Sequence, residues 1–185
     1  MKRLLFLSIS VAILGTGCKK AQQNTIGIEL IDNGDFEDAS NATVWERVAN
    51  DNGNPNNFVG ISNVNPSSGQ FSMELHHDDT IGCYEQWISQ SIDIVHFVEN
   101  QKYKVAFSFR ADFNVSSFNI ILRNDNLNFF ENQAVPYSAN SGWKDFEYEL
   151  TLPSTIGTTN PDLWIHICHL GNHSIWIDEV SMKAI

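Results

Sequence analysis

Short runs of alternating apolar and polar residues recur along most of the chain, and they constrain its fold more than any other feature. In residues 103–110 every second position is aromatic or valine, and Lys, Ala, Ser and Arg lie between them. Residues 118–123, 145–150 and 163–168 repeat the alternation. A period of two residues marks a half-buried β-strand. Further candidate strands lie at residues 27–31, 58–61, 70–75, 86–94 and 174–182.

About nine short strands, separated by stretches rich in Asn, Gly, Pro and Ser, predict an all-β jelly-roll β-sandwich. Beyond residue 17, no segment carries the 3.6-residue apolar stripe of an amphipathic helix. The remaining chain is long enough for one domain with a sizeable core. We therefore place a single sandwich domain at residues 31–185.

The first residues are typical of an export signal. Lys2 and Arg3 precede an apolar run at residues 4–14, which is shorter than the ~20 residues needed to span a bilayer. The following Gly15–Cys18 resembles a bacterial lipobox, although Leu14 lies four residues before the cysteine and not three. We expect residues 1–17 to be a lipoprotein signal peptide and Cys18 to be lipidated, with residues 18–30 as tether and first strand. An ordinary secretory signal is the alternative.

This prediction makes the protein an exported lipoprotein, anchored in a membrane through Cys18 on the periplasmic or cell-surface side of a bacterial envelope. The chain has 11 basic and 22 acidic residues, a net charge of −11. Without Lys2 and Arg3 the charge becomes −13. Such an acidic surface argues against a nucleic-acid partner and leaves neutral ligands such as glycans.

Cys83 and Cys168 are either a disulfide or two buried thiols, and the sequence leaves both open.

Two acidic segments lie near opposite ends of the predicted domain. Residues 33–37 read Asn-Gly-Asp-Phe-Glu, and residues 176–182 read Trp-Ile-Asp-Glu-Val-Ser-Met. Because jelly rolls pair their first and last strands, Glu37 and Asp178 are expected to lie close together. Two carboxylates that meet in a folded protein repel each other unless a cation lies between them, and hard oxygen ligands suit calcium.

These segments resemble those of carbohydrate-binding modules of the family 4/9 (CenC-like) type, which are galactose-binding-like sandwiches. The resemblance covers roughly residues 31–185. It implies a structural calcium bound by the carboxylates of Glu37 and Asp178 and by the backbone carbonyls of Asp35 and Gln70. The alternative is that both acids are solvated residues that deter edge pairing.

The resemblance also implies a glycan ligand, and strand parity indicates where it would bind. Aromatic rings stack on the apolar face of a sugar, while Arg, Asn and His side chains bond to hydroxyls. The predicted ligand-binding residues are the outward ones on the candidate strands: Trp87, Trp164, Arg110, Arg123, Asn119 and His166. The alternatives are that each Trp is a packing residue and each Arg pairs with a nearby acid such as Glu147 or Glu149.

The expected function is therefore non-catalytic binding of an oligo- or polysaccharide. A zinc site at His166, Cys168 and His169 is disfavoured because a strand places the third residue on the opposite face. The chain lacks a Gly-x-Ser-x-Gly elbow, a phosphate loop and a His-Glu-x-x-His motif. A small glycoside hydrolase and an adhesive or structural envelope protein remain the alternatives, and the sequence leaves the oligomeric state open.

Overall fold

The computed structural model describes residues 26–49 and 54–185, without the side chains of residues 39, 42, 79–85 and 168–170. The predicted signal peptide and Cys18 lie outside the described residues. Within them, the helical segments are two short 3-10 helices, Ala39–Val44 and Ile94–His96. None of the helices in the described ranges is long and apolar enough to span a bilayer.

The described part of the chain forms eight β-strands. Two of them, β3 and β8, are far longer than the others and bend through the whole structure. The strands are β1 (Glu46–Ala49), β2 (Phe58–Ser62), β3 (Ser72–Ser91), β4 (Lys102–Ala111), β5 (Val115–Arg123), β6 (Asn128–Tyr137), β7 (Lys144–Thr151) and β8 (Asp162–Ala184).

The two long strands are the centre of both sheets. Residues 84–91 of β3 pair with residues 162–169 of β8, and β1, β5 and β6 complete a sheet in the order β1-β3-β8-β5-β6. We call this the front sheet. Residues 73–79 of β3 pair with residues 171–177 of β8 in the back sheet, whose order is β2-β3-β8-β4-β7. All of these pairings are antiparallel.

The core lies between the two sheets and is rich in aromatic rings. Phe118 of the front sheet meets Phe109 and Phe107 of the back sheet, with ring centroids 4.9 and 5.1 Å apart. Ile88 and Ile165, on the inner side of the front sheet, are fully buried. Alternate residues of each strand therefore face the core, and this confirms the predicted β-sandwich.

The strand boundaries differ from the prediction in three ways. Residues 27–31 form isolated bridges to β8 and not a strand. The candidates at 70–75 and 86–94 belong to one strand, as do those at 163–168 and 174–182. Strands β1 and β6 were not predicted, because β1 has four residues and the apolar residues of β6 do not alternate with its polar ones.

Candidate functional site

The outward side chains of the front sheet form three adjacent rows that cross β3, β8, β5 and β6. We call this surface the front face. Read from β3 to β6, the rows are Trp87, His166, Asn119 and Asn132; Ser89, Trp164, Ile121 and Phe130; and Ser91, Asp162, Arg123 and Asn128. Five of the six predicted ligand-binding residues therefore lie on one surface, and Arg110 does not.

Trp87 and Trp164 stack on each other and do not form two separate platforms. Their ring centroids are 5.0 Å apart and their planes differ by 13°. The guanidinium carbon of Arg123 lies 3.8 Å from the centroid of the Trp164 ring. Because Trp87 lies one row before Trp164 and Arg123 one row after it, the Trp164 ring is held between them. Both indole N–H groups are buried with no hydrogen-bond partner among the described residues, so ring stacking holds this group together.

A hydrogen-bonded chain of neutral groups crosses the first row. Asn132 Nδ2 donates to Asn119 Oδ1 at 2.6 Å, and Asn119 Nδ2 lies 2.7 Å from His166 Nδ1. With Asn119 oriented in this way, His166 Nδ1 accepts the bond and the proton of the neutral imidazole is on Nε2. These hydrogen bonds fix the orientation of two side-chain amides on neighbouring strands. Amides held in this way can bind hydroxyl groups in a defined direction.

Sequence reasoning missed Phe130 and Asn132, because it missed β6. Phe130 lies beside Ile121 in the second row, and 55% of its surface is exposed. A large apolar ring with that exposure offers an open face for stacking, whereas the Trp164 ring is covered. The turn at residues 124–126 is the signal that could have indicated β6. It follows the predicted strand at residues 118–123 and implies that a partner strand returns beside it.

Arg110 lies on the outer side of the back sheet. Its guanidinium carbon is 4.2 Å from the centroid of Trp176 and 5.9 Å from that of Trp143. Arg110 also donates to the carbonyl of Val64 at 3.3 Å, and the indole of Trp143 donates to the carbonyl of Asn65 at 3.1 Å. These contacts attach the loop at residues 63–66 to the back sheet and place Arg110 apart from the front face.

The two predicted acidic segments meet at the turn formed by residues 67–71. Glu37 Oε1 accepts hydrogen bonds from the backbone N–H groups of Gln70 and Phe71, both at 2.7 Å. Asp178 Oδ2 accepts from the backbone N–H groups of Ser67 and Ser68 at 2.9 and 3.2 Å. The two carboxylates therefore bind one turn from two directions. We call this arrangement the acid clamp.

Two glycines permit this close approach. Gly69 has a φ of 59°, and a Cβ atom there would collide with the Glu37 carboxylate. A Cβ atom on Gly34 would collide with the carbonyl of Val180, whose N–H donates to the Gly34 carbonyl at 2.8 Å. The glycines of both turn motifs thus allow the first segment, the last strand and the 67–71 turn to meet.

Asp178 is an ionisable group in an unusually dry position. Its side chain is fully buried. Burial raises the pKa of the Asp178 carboxyl from 3.8 to about 6, while N–H bonds from Ser68, Glu179 and Ser67 lower it and the Glu179 carboxylate raises it. Among the described residues, neither Asp178 nor Glu37 forms an ion pair with a basic side chain.

The acid clamp supplies oxygen donors of the type that a hard cation binds, while within the described residues no group of three or more His, Cys, Asp or Glu side chains is placed to hold a metal ion. Two carboxylates converge without a basic partner, and carboxylate and carbonyl oxygens are the ligands that calcium prefers. Asp35 belongs to the same segment as Glu37, where its Oδ1 accepts from the Glu37 N–H at 3.3 Å, and Gln70 belongs to the clamped turn. An open depression of about 500 Å³ beside Glu37 is lined by oxygen-bearing side chains: Asp32, Asn33, Asp35, Glu37, Asp38 and Asn41.

The raised pKa of Asp178 predicts a particular dependence of stability on pH. Between about pH 4 and pH 6 the folded state holds a proton that the unfolded carboxyl has lost, so the free energy of unfolding falls as pH rises through this interval. The contribution is up to about 3 kcal/mol. We expect Asp178→Asn to flatten this slope, measured by urea unfolding in EDTA from pH 4 to pH 7.5. Parallel pH profiles for the two proteins would contradict the assignment.

The predicted cysteine pair is not described at the level of side chains. Cys83 lies within β3 and Cys168 within β8, and the structure does not describe their side chains. The choice between a disulfide and two thiols therefore stays as the sequence left it.

Comparison with known proteins identifies the fold. No protein-family model matches the chain, and no curated protein matches it. A family 61 carbohydrate-binding module in complex with β-1,4-galactotriose is similar, with a TM-score of 0.60, 13% identity and coverage of 85% of this chain and 99% of that chain. A family 16 carbohydrate-binding module gives a TM-score of 0.56 and 16% identity, covering 83% of this chain and 98% of that chain.

The same fold also occurs in an enzyme. The Stig cyclase Fisc from Fischerella sp. TAU has a TM-score of 0.62 and 13% identity, covering 85% of this chain and 97% of that chain. Identities this low show the fold alone. The chain therefore has a jelly-roll β-sandwich fold, which these similar structures share.

Proposed function

We propose that the front face binds an oligosaccharide or polysaccharide without cleaving it. The observation that carries this proposal is the arrangement of the face itself, in which an exposed phenyl ring, a stacked indole pair and a row of oriented amides lie side by side across four strands. Sugars present both an apolar ring face and a rim of hydroxyls, and such a surface complements both. Structural similarity to carbohydrate-binding modules supports the same function.

The proposed ligand contacts differ in kind. Phe130 stacks on a sugar ring, Trp87 and Trp164 form the apolar floor, and Asn119 and Asn132 bind hydroxyls, while the buried His166 orients Asn119. Screening the purified protein on a glycan array, with mass spectrometry of the ligands afterwards, tests this function. Binding without released fragments is the expected result. Fragments would favour a hydrolase, and a silent array with folded protein would favour an adhesive or structural envelope protein.

Phe130→Ala is expected to weaken glycan binding about tenfold with little change in stability, because the ring is exposed and its loss removes stacking area. Phe58→Ala is the matched control. Phe58 is also an exposed strand residue, 44% accessible, but it lies in the back sheet and stacks on His76. Isothermal titration with the ligand from the array measures both. Equal losses in the two variants would contradict the assignment of the front face.

We further propose that the acid clamp binds a structural calcium ion through Glu37 and Asp178, with the carbonyls of Asp35 and Gln70 as further ligands. The convergence of two unpaired carboxylates on one turn supports this proposal. A bound ion would neutralise the buried Asp178 carboxylate and hold the first segment against the last strand.

We also propose that the domain is a module of the family 4/9 type and that a lipid on Cys18 anchors it to a membrane. They would place a glycan-binding sandwich at the surface of a bacterial membrane, where it captures glycans or presents them to separate enzymes. The resemblance of residues 15–18 to a lipobox supports the anchor. Mass spectrometry of the N-terminal peptide from the membrane fraction tests it, and an unmodified Cys18 would contradict it.

A further inference from the structure

Arg123 is an exposed cation of the front face that forms no ion pair with the acidic side chains described in the structure. Its guanidinium lies over the Trp164 ring, with the guanidinium carbon 3.8 Å from the ring centroid. Asp162 stands directly opposite Arg123 on β8, yet within the described ranges no acidic oxygen lies within 4.0 Å of the Arg123 nitrogens. This is unexpected in a chain with twice as many acidic as basic residues.

Stacking determines how this cation meets a ligand. When a guanidinium lies flat on an aromatic ring, its N–H groups lie in the plane of the group and point past the ring edge. The indole of Trp87 supports the opposite side of Trp164, so the whole stack has one orientation. The fork of Arg123 is therefore held in place before a ligand arrives, and little conformational entropy is lost when it binds.

The remainder of the front face is close to neutral. Amide, hydroxyl and imidazole groups make up most of its polar part. Among the described side chains of its three rows, the acid is Asp162. Glu46 lies beside these rows on β1, opposite Ser89, and accepts a hydrogen bond from the Ser89 hydroxyl at 3.2 Å. The Arg123 guanidinium presents two N–H donors in one plane beside an apolar floor. A carboxylate presents two acceptor oxygens in one plane and therefore complements it.

We propose that the glycan bound by the front face carries a carboxylate, as uronic acids do, and that the Arg123 fork binds it bidentately. This inference rests on the proposed function and narrows it from glycans in general to acidic glycans. The carboxylate approaches Arg123 from the side away from Asp162. The adjoining sugar ring then lies along the apolar floor towards Phe130.

Pairs of ligands that differ only in charge test the inference. Uronic-acid oligosaccharides and their carboxyl-reduced neutral counterparts are titrated into the purified protein by calorimetry. The acidic member of the recognised pair is expected to bind at least tenfold more tightly, and Arg123→Gln is expected to remove that preference. Arg110→Gln is the matched control, because Arg110 also stacks on a tryptophan but lies on the back sheet. Thermal melts establish that each variant is folded.

The variant Asp162→Asn tests the inference in the opposite direction, because it is expected to strengthen binding. Removing the carboxylate that faces Arg123 is expected to strengthen binding of the acidic oligosaccharide several-fold and to leave the neutral one unchanged. Equal affinity for both members of a pair, unaffected by Arg123→Gln, would overturn the inference and leave glycan binding intact. Binding of neither member of any pair by folded protein would overturn the proposed function as well.

Discussion

Saturating calcium is expected to raise the melting temperature of the protein by roughly 5–10 °C over the value in EDTA. A ligand at about 100 times its dissociation constant adds about 2.7 kcal/mol to the free energy of unfolding, and each kcal/mol shifts the melting temperature of a domain this size by about 2–4 °C. The gain arises because the ion neutralises two carboxylates that have no basic partner among the described residues. Differential scanning fluorimetry measures it.

Three variants locate the ion. Glu37→Gln and Asp178→Asn each remove one proposed carboxylate ligand, and both are expected to abolish the calcium-dependent shift. Glu179→Gln is the matched control, since Glu179 is the next residue but accepts bonds from the hydroxyls of Ser67 and Ser108. We expect it to retain the shift. If calcium has no effect on metal-free wild-type protein, the site is refuted, and if the shift persists in both ligand variants, the ion binds elsewhere.

Replacing Trp164 with alanine is expected to lower glycan affinity at least tenfold and the free energy of unfolding by about 2–3 kcal/mol. The ring lies between Trp87 and Arg123, so its loss leaves both without their stacking partner. The floor of the proposed site collapses and the Arg123 fork becomes mobile. Calorimetric titration and urea unfolding measure the two effects on the same preparations.

Trp176→Ala separates loss of binding from loss of stability. Trp176 is likewise partly buried and covered by an arginine, with Arg110 at 4.2 Å, but it lies on the back sheet. We expect a similar loss of stability and unchanged glycan affinity. If both tryptophan variants lose affinity to the same extent, affinity follows stability and not the front face, and the assignment of the site fails.

Residue parity was the part of the site that sequence alone could predict. Period-two alternation assigned Trp87, Trp164, Asn119, His166 and Arg123 to outward positions, and the structure brings all five onto one surface. Parity contains no information about which of the two sheets a strand enters. Arg110 has the right parity, but residues 102–111 pair within the back sheet, so it lies elsewhere.

Contacts within the front face depend on side-chain geometry that no sequence pattern encodes. Trp164 was expected to offer a free ring face, yet its neighbours one row to either side cover it. Phe130 could not be assigned because apolar and polar residues do not alternate in the sequence of β6, although the burial of its side chains does. The sequence predicted that Glu37 and Asp178 lie close together, because the first and last segments of a jelly roll are neighbours. It did not predict that both carboxylates accept hydrogen bonds from backbone N–H groups of one turn.

The position of β8 has a consequence for how the molecule is made. This strand lies at the centre of both sheets, yet it follows all the other described strands along the chain. Met73, for example, pairs with Ile177, more than a hundred residues later. Neither sheet can close before β8 has left the ribosome, so contacts of such long sequence separation form late. Folding of this domain is therefore completed only after β8 emerges, and until then the earlier strands lack their central partner.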